Sequence, residues 1–293
     1  PNDVKTLYEN IPRGFSNFRK KCEKYLSVDD ILPIPEPLDF DNKIPIDYPI
    51  PSLSDIGFNL FDVHKKSVFK FKGGEINGKK RINDYFFNTG NVSTYKLTRN
   101  GLIGEDYSSK FSPWLANGSV SVKYIYNQLK KYESEVDQND STYWLYFELI
   151  WRDFFKYVSM QHKEKFFSRD GIYGDEKQWS TDQKTLSNWI NGKTSEPFVN
   201  ANMIELFETG FMSNRGRQNV SNYLTKELKI DWRIGAEYFE SMLIDYDVHS
   251  NYGNWLYNAG IGNDSMPFRK FNPKLQSERY DPDKLYEKTW LND

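Results

Sequence analysis

The sequence predicts an all-α domain over residues 56–293, preceded by an extended, proline-rich connector over residues 1–55. Apolar residues recur at helical spacing along most of the chain. Gly, Asn and Pro residues interrupt them where helices should end, and no alternation of strands and helices appears. We therefore expect one helical domain without internal repeats.

The N-terminal part contains two different segments. The first, "LYENIPRGFSNFRKKCEKYL", has the spacing of a short amphipathic helix. The second, "ILPIPEPLDFDNKIPIDYPIPSLSD", is rich in proline, which favours extended backbone and prevents helix formation. We expect this second segment to connect the helical domain to whatever precedes it.

Helical signals dominate after the connector. Each predicted helix is bounded by Gly, Asn or Pro residues. The predicted helices cover residues 79–88, 113–131, 141–161, 182–191, 200–209, 215–228, 233–244 and 281–290.

Composition limits the classes of function. A hydrophobic content of 38% in 293 residues supports a sizeable core, and a net charge of −2 excludes wholesale electrostatic binding of nucleic acid. The single Cys22 fits a reducing, intracellular compartment. The three His lack metal-ligand spacing, so we expect no metal site. Without a long apolar run we expect no membrane span.

The segment "STYWLYFELIWRDFFKYV", residues 141–158, is apolar on every side, which predicts a helix in the middle of the domain. It nevertheless carries Glu148 and Arg152, whose i, i+4 spacing predicts an ion pair. Trp144 and Trp151 lie close to the same face. Two interpretations fit: a structural ion pair among core tryptophans, or a carboxyl group held among aromatic rings for an uncharged polar substrate.

The segment "TGFMSNRGRQNVSNYL", residues 209–224, contains a helix boundary. Gly210 predicts the end of one helix, and Ser213 or Asn214 predicts the cap of the next. That helix opens with Arg215 and Arg217, whose charges oppose the helix dipole unless an acid or an anionic ligand neutralises them. Solvation of both guanidinium groups is the alternative.

The segment "GEDYSSKFSPWLANGS", residues 104–119, is rich in serine. Ser108, Ser109 and Ser112 precede Pro113, which suits the first turn of a helix. Their hydroxyl groups and the free N–H groups of the turn are suited to a phosphate. A serine-rich cap without a ligand is the alternative.

The segment "LIDYDVHSNYGNWLYNAG", residues 243–260, is polar where a core helix would be apolar. Asp245, Asp247, His249 and Asn251 follow one another within a few residues. This pattern raises the question of a ligand.

Together these segments resemble the FAD-binding domain of the photolyase/cryptochrome superfamily, and most closely its DASH branch. The resemblance extends from about Tyr95 to Trp290. It runs through "TRNGLIGEDYSSKFSPWLANG", "FELIWRDFFKY", "GFMSNRGRQNVSNYL", "DWRIGAEYFESMLIDYDVHSNYGNWLYNAGIGND" and "FRKFNP". Motifs of this length in this order are highly specific.

The resemblance implies that FAD lies folded inside the helical domain, with its phosphates at the serine-rich turn. Arg217 and Asp245 correspond to the pair beside the isoalloxazine, and Asn251 to an amide near flavin N5 that tunes the redox form. The implied cofactor-binding residues are Tyr95, Ser108, Ser109, Phe111, Ser112, Glu148, Arg152, Asn214, Arg217, Asp245, Asp247 and Asn251.

The resemblance also implies a DNA substrate. Glu148 corresponds to the carboxyl group that contacts a flipped pyrimidine dimer. Gln218 and Tyr257 stand where other photolyases have Met and Trp, which weakens the apolar clamp on the dimer and favours single-stranded DNA. The implied DNA-facing residues are Arg99, Trp151, Asn214, Gln218, Tyr257 and Arg269.

Trp255, Trp232 and Trp179 correspond to a tryptophan chain that carries electrons to the photoexcited flavin, with core packing as the alternative for each. With Glu148 and Asn251 they complete the implied catalytic set. We expect light-driven repair of cyclobutane pyrimidine dimers. The alternative is a blue-light photoreceptor that signals through flavin photoreduction. A colourless purified protein would instead indicate a purely structural role.

Two features depart from the family. The family's α/β antenna domain does not precede the connector, and the chain begins at Pro1. A fragment, a separate antenna chain and a short natural form all fit, so a methenyltetrahydrofolate antenna is doubtful. Ser195 replaces the usual Gly and Asn200 the usual Asp, which alters the packing near the flavin helices but removes no catalytic group.

Overall fold

Helices form the regular structure in a computed structural model of the chain, which describes residues 10–33, 35–36, 48–59 and 62–292. Within these ranges there is no β-strand, only an isolated parallel bridge between Ser180 and Ile230. The predicted all-α class is therefore confirmed.

The α-helices of the described ranges are numbered in chain order. They are α1 (Phe15–Tyr25), α2 (Glu75–Asn83), α3 (Tyr95–Thr98), α4 (Ser112–Ala116), α5 (Val122–Glu135), α6 (Asp140–His162), α7 (Gln183–Ile190), α8 (Pro197–Thr209), α9 (Asn214–Asn222), α10 (Trp232–Met242), α11 (Val248–Ala259), α12 (Pro273–Tyr280) and α13 (Leu285–Leu291). π-Helical turns extend α2 over Asp84–Asn88 and α9 over Tyr223–Glu227, and 3-10 turns occur at Ser54–Ile56, Asn91–Thr94 and Lys163–Phe167. None of these helices is long and apolar enough to cross a membrane.

Two predicted helices differ from the observed ones. The helix predicted over residues 113–131 is divided into α4 and α5, because Gly118 adopts a left-handed φ of 75° and Ser121 caps a new helix. The helix predicted over residues 281–290 begins only at α13. The Asp281 carboxylate lies before α13 and accepts hydrogen bonds from backbone N–H groups in the first turn of α13.

The polar segment 243–260 contains helix α11, which apolar periodicity did not predict. Asp247 caps it by accepting a hydrogen bond from Ser250 N at 2.8 Å, and Gly260 ends it at a φ of 69°. Helix α11 packs between α6 and α10. Several of its polar side chains line the cavities described below, so its apolar residues do not form a continuous stripe.

Helix α1 confirms the predicted amphipathic helix near the N-terminus. Its buried side chains are Phe15, Phe18 and Cys22. The Phe15 ring stacks on Trp151 of α6 with centroids 3.7 Å apart. Residues 37–47 of the proline-rich segment lie outside the described ranges, so the connector and the boundary at residue 55 stay predictions.

Helix α6 joins two hydrophobic clusters. Leu145 and Leu149 pack with the aromatic residues of α2 to α5, whereas Phe154 and Phe155 belong to the core formed with α7 to α11. This double burial explains why α6 is apolar on most sides. It also places the middle of the helix, including Glu148, at the junction of the two clusters.

Candidate functional site

A cavity of about 450 Å³ opens at this junction, within the size range of small-molecule sites. Its walls include every predicted cofactor-binding residue except Asn251 and every predicted DNA-facing residue. These wall residues are Tyr95, Arg99, Ser108, Ser109, Phe111, Ser112, Glu148, Trp151, Arg152, Asn214, Arg217, Gln218, Asp245, Asp247, Tyr257 and Arg269. The structure brings them together, and their individual roles stay predictions.

The serine-rich turn forms one end of the cavity. Arg81 of α2 binds the outside of this turn, because its guanidinium donates to the carbonyl oxygens of Ser109 at 3.1 Å and Ser108 at 3.2 Å and to Asp106 Oδ1 at 2.7 Å. The Ser109 and Ser112 hydroxyl groups line the cavity and have no hydrogen-bond partner in the described part of the chain. They are therefore available to a ligand.

Lys110 was not among the predicted site residues, yet it lines the same end of the cavity. Its side chain is only 3% exposed, with Nζ 3.4 Å from Ser108 Oγ and 3.2 Å from the centroid of the Tyr107 ring. Burial lowers the pKa of Lys110 well below its usual value. A buried ammonium group without an ion-pair partner among the described residues is costly, and an anionic ligand would stabilise it.

Arg217 and Asp245 form the predicted ion pair. Arg217 Nη2 lies 2.9 Å from each Asp245 carboxylate oxygen, and Arg217 Nε donates to the Met212 carbonyl oxygen at 2.9 Å. The Asp245 side chain is 2% exposed. This bifurcated contact of one guanidinium nitrogen with both carboxylate oxygens neutralises one of the two cations at the start of α9, and it fixes both side chains in the cavity wall.

The predicted pair between Glu148 and Arg152 is wrong. Glu148 Oε1 instead lies 2.5 Å from Arg99 Nη1, while Arg152 Nη2 is 3.9 Å from Asp247 Oδ2. The packing of α3 and α11 against α6 supplies these partners, and it overrides the i, i+4 spacing. Burial raises the pKa of Glu148, and the Arg99 guanidinium opposes this shift.

Asn251 and Trp255 line a smaller cavity of about 90 Å³ that shares Arg217 and Asp245 with the large one. Asn251 Nδ2 donates to the Ala236 carbonyl oxygen at 2.9 Å, which fixes the amide at the wall. Trp232 and Trp179 are buried but line neither cavity. Trp255 therefore lies at a cavity wall, Trp232 and Trp179 lie in the core, and the tryptophan chain stays a prediction.

A third cavity of about 420 Å³ adjoins the first, and Gln218, Tyr257 and Arg269 border both. It is also lined by Arg215 and Arg279. In the described ranges none of these three arginines has a carboxylate within ion-pairing distance. Asp264 is the one acidic residue among the described residues that line this cavity, so the three arginines leave its surface locally cationic although the net charge of the chain is −2.

Arg215 is held in place without a counter-charge. Its Nη2 donates to Asn100 Oδ1 at 3.0 Å, and its guanidinium lies 4.5 Å from the centroid of the Tyr280 ring. Arg279 lies 5.3 Å from the same ring. Arg99, in contrast, is paired with Glu148, so its charge is already neutralised.

The two replaced residues, Ser195 and Asn200, are accommodated locally. Asn200 Oδ1 accepts hydrogen bonds from Thr194 N at 2.8 Å and Thr194 Oγ1 at 2.7 Å, and Asn200 Nδ2 donates to the Thr194 carbonyl oxygen. Ser195 lies next to this loop, and neither it nor Asn200 lines any of the three cavities.

The donor set of the large cavity fits FAD. The serine hydroxyl groups and the Lys110 ammonium suit phosphate groups, and the Arg217–Asp245 pair suits the polar edge of a flavin ring. The hydroxyl group of Tyr107, which lines the cavity, is buried without a hydrogen-bond partner in the described residues, so a ligand could satisfy it. Among those residues no cluster of His, Cys, Asp and Glu is arranged for a metal ion.

Comparison with known proteins shows extensive similarity. Residues 144–293 match the family described as the FAD binding domain of DNA photolyase. The chain is 47% identical over 293 residues to the cryptochrome DASH of Gloeobacter violaceus, covering 99% of this chain and 58% of that protein. The chain thus spans less than two thirds of this curated relative.

Two solved structures have a similar fold. A Synechocystis sp. cryptochrome matches with a TM-score of 0.87 and 47% identity over 97% of this chain and 59% of its own. An archaeal photolyase from Sulfolobus tokodaii, solved with two FAD molecules, matches with a TM-score of 0.73 and 26% identity over the same shares of the two chains.

Proposed function

This chain belongs to the photolyase/cryptochrome family, in its DASH branch, and we propose that it binds FAD and uses blue light to split cyclobutane pyrimidine dimers, preferentially in single-stranded DNA. The main support is the shared wall of two cavities. Gln218, Tyr257 and Arg269 border both the cavity that suits FAD and the arginine-lined cavity beside it. A dimer flipped into the first would leave its strand over the second.

Bound FAD would supply the light absorption and the electron that opens the cyclobutane ring. Ser109, Ser112 and Lys110 would hold its phosphate groups by hydrogen bonds and charge. Arg217 and Asp245 would lie against the ring system. Because they neutralise each other, they can orient polar flavin atoms without adding net charge to the pocket.

Glu148 would hold the dimer. Its side chain is 28% exposed, and burial raises its pKa while Arg99 opposes the shift. In its protonated form, the carboxyl group would donate a hydrogen bond to a dimer carbonyl where negative charge develops. Trp151 and Tyr257, with ring centroids 5.8 Å apart and nearly perpendicular, would form the apolar side of the dimer site. The Gln218 amide makes this clamp weaker than an apolar side chain would.

The first expected result concerns the substrate. Reduced, FAD-loaded protein should repair a dimer in a single-stranded oligonucleotide at least about tenfold faster than in duplex DNA, because flipping from an intact duplex costs a few kcal/mol more. Loss of the dimer, measured by chromatography, should require blue light, and dark samples of the same mixture are the control. Equal repair in both substrates would refute the preference for single strands.

The second expected result concerns the third cavity. Arg279→Ala should weaken binding of single-stranded DNA and reduce the slope of log affinity against log salt by about 0.7, because one phosphate contact is lost. The control is Lys131→Ala on α5, an exposed cation that lines none of the three cavities. An unchanged slope in Arg279→Ala would remove the third cavity from the proposed DNA path.

A blue-light photoreceptor is the second candidate function. It is favoured by Trp255, which lines the smaller cavity and packs in a buried aromatic core. Flavin photoreduction without repair of either DNA substrate would support this alternative. The dimer-facing set of Glu148, Trp151 and Asn214 favours repair, because a sensor has no need of a substrate cavity.

A further inference from the structure

Tyr252 of α11 contacts both an aromatic ring of the predicted electron path and a carboxylate. Its ring lies against the Trp232 ring, with centroids 5.9 Å apart and planes at 84°. Its hydroxyl group donates a hydrogen bond to Glu240 Oε2 at 3.2 Å. Tyr252 is 9% exposed, whereas Glu240 is exposed to solvent. Neither Tyr252 nor Glu240 belongs to the predicted tryptophan chain.

Trp232 of α10 and Trp255 of α11 belong to the same buried core. Trp255 lines the smaller cavity, and its indole packs against α10 at Gly235, where an added Cβ would lie 2.3 Å from the ring. Gly235 is one helical turn from Trp232. Trp255 therefore contacts the helix that carries Trp232.

We propose that Tyr252 is a redox-active residue that reduces oxidised Trp232, with Glu240 accepting the phenolic proton. The inference rests on the proposed function and on the predicted tryptophan chain, in which Trp255 would give an electron to bound, photoexcited FAD and would regain one from Trp232. Tyr252 then gives one electron to the Trp232 radical cation and its hydroxyl proton to the Glu240 carboxylate. Trp232 becomes neutral, Tyr252 becomes a neutral radical, and Glu240 becomes a carboxylic acid.

The surroundings of Tyr252 favour this step over oxidation of Trp179. Lys177 Nζ lies 6.0 Å from the centroid of the Trp179 ring, and Lys226 Nζ approaches the same Ala259 carbonyl oxygen as Lys177. The Lys177 ammonium group opposes a positive charge on Trp179, and the indole N–H of Trp179 has no acceptor in the described residues. Tyr252 has a negative charge beside it and a base for its proton.

Tyr238 differs from Tyr252 in having no proton acceptor for its hydroxyl group. The Tyr238 ring lies 5.8 Å from Trp189, but its hydroxyl group is buried without a partner in the described part of the chain. Oxidation of a phenol that cannot release its proton is strongly disfavoured. Tyr238 is therefore a matched control: a tyrosine of α10 against a buried tryptophan, without a proton acceptor.

The proton has a route to water. Glu240 is exposed, so it can pass the proton to solvent, and the Tyr246 hydroxyl group also lies against it, which contributes to the raised pKa of Tyr246. The Tyr252 ring itself is shielded, so its radical should outlive an exposed tryptophan radical. A thiol in solution would return the electron and the proton.

The test uses FAD-loaded, oxidised protein illuminated with blue light and examined by transient absorption and electron paramagnetic resonance. The wild type should show a tyrosyl radical whose spectrum narrows when ring-deuterated tyrosine is incorporated. Tyr252→Phe should lose this signal and retain a tryptophanyl radical, Glu240→Gln should reduce its yield, and Tyr238→Phe should leave it unchanged. A wild type that shows only a tryptophanyl radical would overturn the proposal while the proposed function stands.

A second readout does not depend on light or FAD. Titration of ring-labelled tyrosine by nuclear magnetic resonance, with Tyr252 assigned by its absence in Tyr252→Phe, should show a high pKa that falls in Glu240→Gln. Burial and Glu240 together raise the pKa of Tyr252 to about 12. If the pKa of Tyr252 is unchanged in Glu240→Gln, Glu240 is not the proton acceptor. If the protein binds no FAD but the pKa of Tyr252 still depends on Glu240, only the proposed function is rejected.

Discussion

Asp245→Ala is expected to purify with less than about a tenth of the FAD of the wild type and to be less stable by about 3 kcal/mol. Removing one partner of a buried ion pair leaves the other charge uncompensated, at a cost of about 3–5 kcal/mol. The lower end applies because the Arg217 side chain is 25% exposed. The unpaired guanidinium would remain in the wall that we propose lies against the flavin ring.

Flavin absorbance per protein and urea unfolding check this expectation. The matched control is Asp231→Ala. Asp231 pairs with Arg233 at a comparable distance of 2.8 Å, and neither residue lines any of the three cavities. The substitution also removes the cap of α10, so it should cost about 1 kcal/mol and leave FAD content unchanged. Stoichiometric FAD in folded Asp245→Ala would contradict the assigned role of the pair.

Glu148→Ala should lower dimer repair about a hundredfold while FAD content stays close to the wild-type level. A hydrogen-bond donor aimed at developing negative charge contributes on this order, and the contacts proposed to hold FAD are made mainly by other residues. Repair per bound flavin, measured with the single-stranded substrate, separates the two effects. A parallel loss of FAD and repair would show that Glu148 supports the cofactor instead of the dimer.

The pH profile tests which form of Glu148 acts. If the protonated carboxyl group donates to the dimer, repair should decline as pH rises through the raised pKa of Glu148. Arg99→Ala removes the charge that opposes the raised pKa, so its decline should occur at higher pH. Glu148→Gln should abolish this decline, because an amide donates at every pH.

The site residues could be found from the sequence because each belongs to a local motif. The serine-rich turn, the cap at Ser213 and the polar start of α11 are each formed by neighbouring residues. The resemblance then assigned these motifs to one cofactor, and the structure places nearly all of them around one cavity. Lys110 was not predicted as a site residue, because a lysine in a loop is usually solvated and only the fold shows that Lys110 is buried.

The partners of Glu148 and Arg152 could not be found in this way. The carboxylate of Glu148 had an arginine one turn away in sequence, yet it binds Arg99, which lies 49 positions earlier. Likewise, Tyr252 meets Glu240 across two helices. The local positive charge of the three unpaired arginines in the third cavity could not be predicted from the net charge, because a sum over the chain does not describe where charges lie.

The sequence by itself determined the all-α class, most helix ends and the local motifs that the resemblance assigns to a cofactor. These depend on spacing and capping within a few residues, which local propensities govern. The tertiary structure alone decided that Glu148 pairs with Arg99, that Lys110 is buried, and that the polar segment 243–260 contains helix α11. Those outcomes follow from packing between distant elements, since the free energy of a charged or polar side chain depends on the partner and the solvent that the fold brings to it.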